Sequence, residues 1–260
     1  MPSVALIRDQ VTAKIPGAFG FYERRGREML PTGIASIDSA IGGVPRQALS
    51  QICGPSSSGR TTLLMSLLAS ATKRRECCVL VDAMDRFDPV SANANGVELS
   101  RMLWIRCGGE SKSAQKIRNV KRELRPVEQA FAVADLVMHS GGFGLLVVDL
   151  ADVPPQLVAK VPLSTWFRFS RAVEDKPMAL VFLLKEPSGS SYAGLVLRMM
   201  SCPPQWTGDH DLAHTLLLDQ LKIEAMVART EDRKPPQAVR PQFTASCQWG
   251  LGDVCLHPRS

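Results

Sequence analysis

Long apolar runs are missing from this chain. No stretch of its 260 residues approaches the ~18 consecutive apolar residues of a membrane span, so no integral membrane role is expected. Met1 to Lys14 carries scattered charges and no apolar segment, which gives no sign of a targeting leader. Cysteine pairs at metal or redox spacing are missing too. None of the seven cysteines forms a CxxC, and Cys77–Cys78 lie side by side within an apolar run. An odd count without a leader points to reduced thiols and a cytoplasmic setting. Cys202, His210 and His214 can be drawn as part of a zinc site, but no complete ligand set follows and incidental histidines are the better reading. Internal repeats and low-complexity segments are likewise absent.

What is present suits a globular domain. The chain is 45% hydrophobic and 22% charged, enough apolar mass for a full core. One large α/β domain with small terminal additions is the natural reading of the length. The formal charge of +6 suits a polyanionic partner such as nucleic acid. An ordinary basic cytosolic protein has the same balance.

Residues 1–28 include an aromatic, basic patch, Phe19-Gly-Phe-Tyr-Glu-Arg-Arg25, and read as an N-terminal arm or a loosely packed leader. From Leu30 the pattern sharpens. Ile34, Ile37 and Ile41 space a short helix that stops at Gly42-Gly43. Ala48 to Cys53 predicts a strand, and Thr61 to Thr72 a helix rich in Leu and Ala. Cys77–Asp82 and Gly144–Asp149 are apolar runs ending in a carboxylate, typical of strands buried on both faces. Val127 to His139 and Thr165 to Val173 predict helices, and Pro177 to Leu184 a further strand. This alternation specifies a mostly parallel sheet with helices on both faces. Beyond residue 190 the pattern changes. Leu195–Met200, Thr215–Ala228 and Phe243–Trp249 read as strands that finish the sheet with hairpins, and the last residues read as tail.

The strongest signal is Gly54-Pro55-Ser56-Ser57-Ser58-Gly59-Arg60-Thr61-Thr62, set between a strand and a helix. A nucleotide phosphate needs a tight loop that aims backbone N–H groups at one point, with a helix N-terminus behind it. The pattern is GxxxxG followed by a basic residue and Thr, with Thr61 placed to hold Mg²⁺. The basic residue is Arg60 where the motif has lysine. A planar guanidinium is not equivalent to a compact ammonium at a crowded phosphate site, so efficient hydrolysis is harder to support than binding. A carboxylate ending a buried strand is the second requirement, and Asp149 supplies it, either facing Mg²⁺ or as an ordinary strand end.

These residues carry a family resemblance. From Leu30 to about Asp149, and more weakly to Ala245, the chain resembles bacterial RecA. The matching features are Thr32-Gly33, Ser36-Ile-Asp38, Gly42-Gly43, Ile52 to Thr62, Val81-Asp-Ala83, Phe87-Asp-Pro89 and Gly96-Val97. The resemblance implies an α/β RecA-like P-loop core with C-terminal antiparallel strands, ATP with Mg²⁺ as cofactors, and Asp88 on the adenine base. The departures fall in the same site. Met84 stands where the family has a water-activating glutamate, and Asp85, one residue on, is the candidate for a shifted carboxylate. Ser91 stands where an aromatic would stack on adenine. The polar switch residue after Leu184 falls near Lys185, and Glu186 to Gly194 is shorter than a full DNA-binding loop. There is no room for the large C-terminal domain of RecA. Loss of both the phosphate lysine and the water-activating group would leave little turnover.

Short, degenerate RecA-like chains of this kind resemble the ImuA group, which accompanies an ImuB-like polymerase-family protein in the SOS response. That resemblance implies an accessory role in translesion synthesis, in the bacterial cytoplasm at the nucleoid, acting on RecA or an ImuB-like partner. The alternatives are an active DNA-dependent ATPase or recombinase using Asp85 as its base, and a SulA-like cell-division inhibitor. Lys112, Lys116, Arg118, Lys121, Arg122 and Arg125 lie in a basic stretch inserted relative to RecA. They read either as contacts to the phosphates of single-stranded DNA or as a solvated helix face. Lys185 and Tyr192 sit in the short loop, where Tyr192 would stack a base or simply line a turn. The expected layout is an arm at 1–28, a RecA-like core at 29–228, and a terminal strand and tail at 229–260. Oligomerisation through the arm is a further implication of the resemblance.

Overall fold

Alternating the residues of four central strands sorts them onto two faces, and that alternation organises the molecule. In this computed structural model the described residues are 27–107, 121–207, 217–230, 242–246 and 258–259. Among them, β3 (Leu49–Cys53), β4 (Cys78–Asp82), β6 (Leu145–Asp149) and β7 (Ala179–Leu184) are almost wholly buried. Ile52, Leu80, Leu145, Val147, Val181 and Leu183 point to one face, where they meet Leu63, Leu64, Leu67 and Leu68 of α2 (Arg60–Lys73). Val79, Val81, Leu146, Val148, Leu180 and Phe182 point to the other. There they meet Val127, Ala130, Phe131 and Ala134 of α4 (Lys121–Ser140) and Trp166, Phe169 and Val173 of α6 (Leu163–Glu174). Period-two side-chain placement on strands covered on both sides is why these segments read as unbroken apolar runs.

Two short strands, β1 (Met29–Leu30) and β2 (Val44–Pro45), pair antiparallel around α1 (Ala35–Ile41). The Thr32-Gly33…Asp38 motif has a local cause. Asp38 accepts from Thr32 N and Oγ1, both at 2.8 Å, and from Gly33 N at 3.1 Å, closing the turn that launches α1. The helix then ends at Gly42, in the left-handed conformation, as the Gly-Gly stop predicts.

The main sheet has ten strands. With β5 (Met102–Arg106), β8 (Leu195–Ser201), β10 (Leu217–Arg229), β11 (Gln242–Ser246) and β12 (Pro258–Arg259), nine of them run in the order β12-β11-β10-β8-β3-β7-β6-β4-β5, and β9 (Gln205–Thr207) pairs with β10 off that path. The block from β8 to β5 (Met102–Arg106) is parallel throughout. β10 then pairs antiparallel with β8, β9 and β11 (Gln242–Ser246), and β12 (Pro258–Arg259) joins β11. The expected parallel sheet with antiparallel C-terminal strands is therefore the observed one. β5 and the short helix α3 (Pro89–Ala94) have no counterpart in the sequence reading, nor has the single-turn helix α5 (Pro155–Val158). Among the described residues no helix is long and apolar enough to cross a membrane.

Candidate functional site

β3 delivers the chain to the carboxyl edge of the sheet at Gly54. It lies between β7 and β8, both parallel to it, and the chain leaves through α2 to reach β4 beyond β7 and β6. Crevices at such a reversal of strand order are where ligands bind in open parallel sheets. The Gly54–Gly59 loop is tight. Ser58 N donates to Pro55 O at 3.3 Å, and Ser57 and Gly59 adopt left-handed φ of 60° and 85°. A Cβ on Gly54 would sit 2.5 Å from the Met199 carbonyl of β8, and one on Gly59 would sit 2.4 Å from Cδ1 of Ile223 on β10. The two glycines are thus required because the loop lies directly on β8 and β10. Pro55, Ser56, Ser57 and Thr61 are exposed, Thr62 is half-buried, and Ser58 is buried with a hydroxyl that has no hydrogen-bond partner. The unpaired N–H groups of the first turn of α2 stand behind the loop, which is the arrangement a phosphate needs.

Arg60 does not share that exposure. It is only 7% exposed, and its Nη1 donates to the carbonyls of Leu184, at 2.9 Å, and Ala151, at 3.2 Å. Burial lowers its pKa, opposed by the charges of Asp149 and Asp152. The cation of the loop is therefore seated in the sheet edge, between the ends of β6 and β7.

Asp149 ends β6, in register with Asp82 of β4 and Leu183 of β7. Burial pushes its pKa up to about 6, with the nearby Asp82 and Asp152 adding to the rise; the Ala151 N–H, 2.9 Å from Oδ1, and Arg60 oppose it. Asp82 is fully buried and acts as an organiser. Its oxygens accept from Met84 N at 3.2 Å, Phe87 N at 2.9 Å and Trp104 Nε1 at 3.3 Å, which fixes the turn after β4. Sequence reasoning missed this role, although an aspartate closing a buried run was its signal.

Met84 is half-buried against the second core cluster. Asp85, in the left-handed conformation at φ 56°, is gripped by both ends of the Arg106 guanidinium at 2.6 and 2.5 Å, and this hydrogen bonding holds its carboxyl below the usual range. Arg106 lies on β5 and also stacks over Trp104, 5.0 Å from the ring centre. Asp88 is the N-cap of α3. It accepts from Val90 N and Ser91 N, both at 3.1 Å, and from Ser91 Oγ at 2.5 Å, with Pro89 at the first helical position. Ser91, at the expected aromatic position, is thereby bound to Asp88 itself.

On the other side of the edge, Lys185 is exposed immediately after β7. Lys185 to Ser188 line a small groove with Val153, Pro155, Val158, Ala159 and Leu184. Tyr192 is half-buried and meets Phe167 of α6 edge to face, with ring centres 5.6 Å apart. Lys121, Arg122 and Arg125 fall within α4, whose first five side chains lie outside the described residues, as do Lys112, Lys116, Arg118, His210 and His214. Among the described residues no cluster of three or more metal-ligating side chains occurs. Cys53, just before the loop, has its thiol pushed up to about 12 by burial, which keeps it neutral and unreactive.

Tested against a bound nucleotide and Mg²⁺, the loop backbone and the unpartnered Ser58 hydroxyl fit a phosphate. Thr61 and Asp149 are of the right chemistry for the metal ion, but among the described residues the carboxylates of the turn around Met84, Asp82 and Asp85, are already hydrogen-bonded.

The resemblance to known proteins agrees with this geometry. Residues 18–161 match the RecA N-terminal domain. The chain is 29% identical over 259 residues to Protein RecA of Acidiphilium cryptum, covering 94% of this chain and 63% of that protein. It is 30% identical over 211 residues to Protein RecA of Rhodospirillum rubrum, covering 78% and 46%, and 36% identical over 124 residues to that of Brucella anthropi, covering 47% and 30%. The chain spans less than two thirds of the length of these relatives. On the matched domain, the strand–loop–helix at Gly54 and the parallel sheet that carries it, the chain belongs to the RecA family.

Proposed function

We propose that this chain is a RecA-like accessory protein of damage-induced mutagenesis, akin to the ImuA group, in which the phosphate loop is kept but hydrolysis is lost. The observation that carries the reading is the carboxylate economy of the turn after β4. Met84 occupies the water-activating place, and the acid that follows it, Asp85, is already held by Nε and Nη2 of Arg106. An acid paired in this way, with its pKa lowered, is a poor general base. ATP and Mg²⁺ would then act as ligands of the loop, through Gly54 to Thr62 with Thr61 and Asp149 on the metal ion, and not as fuel.

The partners are RecA or an ImuB-like polymerase-family protein, with single-stranded DNA contacted through the basic stretch and through Lys185 and Tyr192. The layout of an arm at 1–28, a core at 29–228 and a terminal strand and tail at 229–260 belongs to the same reading, with the arm laid on a neighbouring RecA-fold subunit. The expected outcome is that the purified protein co-purifies with RecA or an ImuB-like partner, and that it changes the rate or extent of RecA filament assembly on single-stranded DNA. Neither association nor any change in filament assembly would count against the accessory role.

A further inference from the structure

Three helices of the described chain end on a glycine in the left-handed region: Gly42 after α1 (φ 76°), Gly96 after α3 (φ 85°) and Gly141 after α4 (φ 68°). α2 ends the same way on Arg75, at φ 64°. Its hydrogen bonds are those that glycine serves at the end of α3. Arg75 N donates to Thr72 O at 2.9 Å and Glu76 N to Ala71 O at 3.2 Å; Gly96 N donates to Asn93 O at 2.9 Å and Val97 N to Ala92 O at 3.0 Å. A residue with a Cβ is strained in this conformation, so α2 holds an arginine where glycine would be more stable. The Arg75 side chain is exposed and makes no ion pair among the described residues. Strain kept without a local gain points to function.

The surroundings are cationic. Lys73, Arg74 and Arg75 are consecutive and exposed, and Arg101, from the helical turn Leu99–Arg101, donates from Nη1 to Arg75 O at 3.2 Å. Glu98 N donates to Thr72 Oγ1 at 3.1 Å, which fastens that segment to α2. Two of the four cations are neutralised locally, Arg74 by Glu76 at 3.2 Å and Arg101 by Glu98 at 3.0 Å. Lys73, like Arg75, has no carboxylate within ion-pair distance among the described residues. Its ammonium sits beside Gly96, 3.2 Å from where a Cβ there would lie, and the carbonyl end of α3 holds it without neutralising it. On the Arg101 segment, Leu99 and Met102 are half-buried against the core and keep part of their surface in solvent.

We propose that this turn after α2, with the segment 98–102 beside it, is a docking site for an acidic, partly apolar segment of a partner protein. Lys73 and Arg75 take its carboxylates, and Leu99 and Met102 its apolar side chains, by charge complementarity around a small apolar centre. Nucleic acid fits the patch less well. Glu98 stands half-exposed among the cations, and a duplex, with one charge per ~1.7 Å of its axis, has no gap to place over it, whereas acids in a peptide can be spaced. The 14 residues of α2 set this site about 21 Å from the phosphate loop, so it serves whether or not that loop is filled.

The test is fluorescence anisotropy on the full chain with a fluorescein-labelled peptide of alternating glutamate and leucine, beside a labelled DNA duplex, with urea denaturation of each variant. The wild type is expected to bind the peptide, more weakly as salt rises. Arg75→Gly should weaken that binding roughly tenfold by loss of a charge-assisted contact, while its unfolding midpoint rises because glycine suits the turn. Lys73→Gln should weaken binding to a similar degree, and Lys160→Gln, in the segment after β6, should leave it unchanged. No peptide binding, or equal binding by the wild type and both patch variants, would overturn the proposal. A lower unfolding midpoint for Arg75→Gly would overturn it too, by showing that the arginine serves the turn. Duplex binding that both variants lose while peptide binding stays would reassign the patch to nucleic acid and sink the protein partner.

Discussion

At the scale of single residues, Asp149 behaves unlike a carboxylate in water. Its pKa of about 6 means the folded protein prefers the protonated acid, against an ordinary value of 3.8. The folded state therefore binds the proton more tightly than the unfolded chain. The associated stability is fully present below the ordinary value and is lost as pH rises through about 6. Asp149→Asn should accordingly raise stability at pH 8 by about 3 kcal/mol and by much less at pH 4, as urea denaturation at the two pH values would show. The attraction of Arg60 is already contained in that pKa, so the gain is net of its loss. Equal effects at both pH values would mean the carboxylate is solvated or neutralised at the sheet edge. A bound Mg²⁺ would reverse the preference, since a cation on Asp149 favours the ionised form.

Elements differ in how plainly the sequence announces them, and the reason is burial. β3, β4, β6 and β7 are covered on both faces, so each reads as an apolar run, and the glycine-bounded loop after β3 follows from chemistry that only glycine allows. β5 is an edge strand with no residue fully buried, and its Trp104 and Arg106 serve the turn after β4; a half-exposed five-residue strand leaves no run to find. α3 is six residues long with Ala92 its one buried side chain, and its N-cap, Asp88, reads in sequence as part of a base-binding motif. The seat of Arg60 was illegible for a different reason: its acceptors, Ala151 and Leu184, are main-chain carbonyls 91 and 124 residues away, and any residue supplies a carbonyl. α6 is the element that braces the groove side. Trp166 packs edge-on to Phe131, at 5.3 Å, and Phe182, at 5.0 Å, and its ring fills the space where a side chain at Gly189 would lie. Trp166→Ala should cost about 3–5 kcal/mol in chemical denaturation and increase proteolytic cutting near 188–192. A loss below 1 kcal/mol would show that α6 does not brace that turn.

Across the whole molecule, the carboxyl edge of this RecA-family sheet turns several of its charged groups inward. Four of the charged groups at that edge are bound to the protein: Arg60 to two carbonyls, Asp85 to Arg106, Asp88 to its own helix, and Asp82 to the turn it organises. The scaffold that positions them, from β8 through β3 to β4, is intact and fully parallel. On the proposed reading, a protein built this way would keep a RecA-like surface for partners with the chemistry withdrawn, and that is the central claim. The most direct measurement is ATP turnover by the purified chain with and without single-stranded DNA, beside an Arg60→Lys, Met84→Glu double variant. The account predicts no DNA-stimulated turnover by the native chain and a measurable gain in the variant. Recombinase-like, DNA-stimulated turnover by the native chain would contradict it and return Asp85 to the role of base.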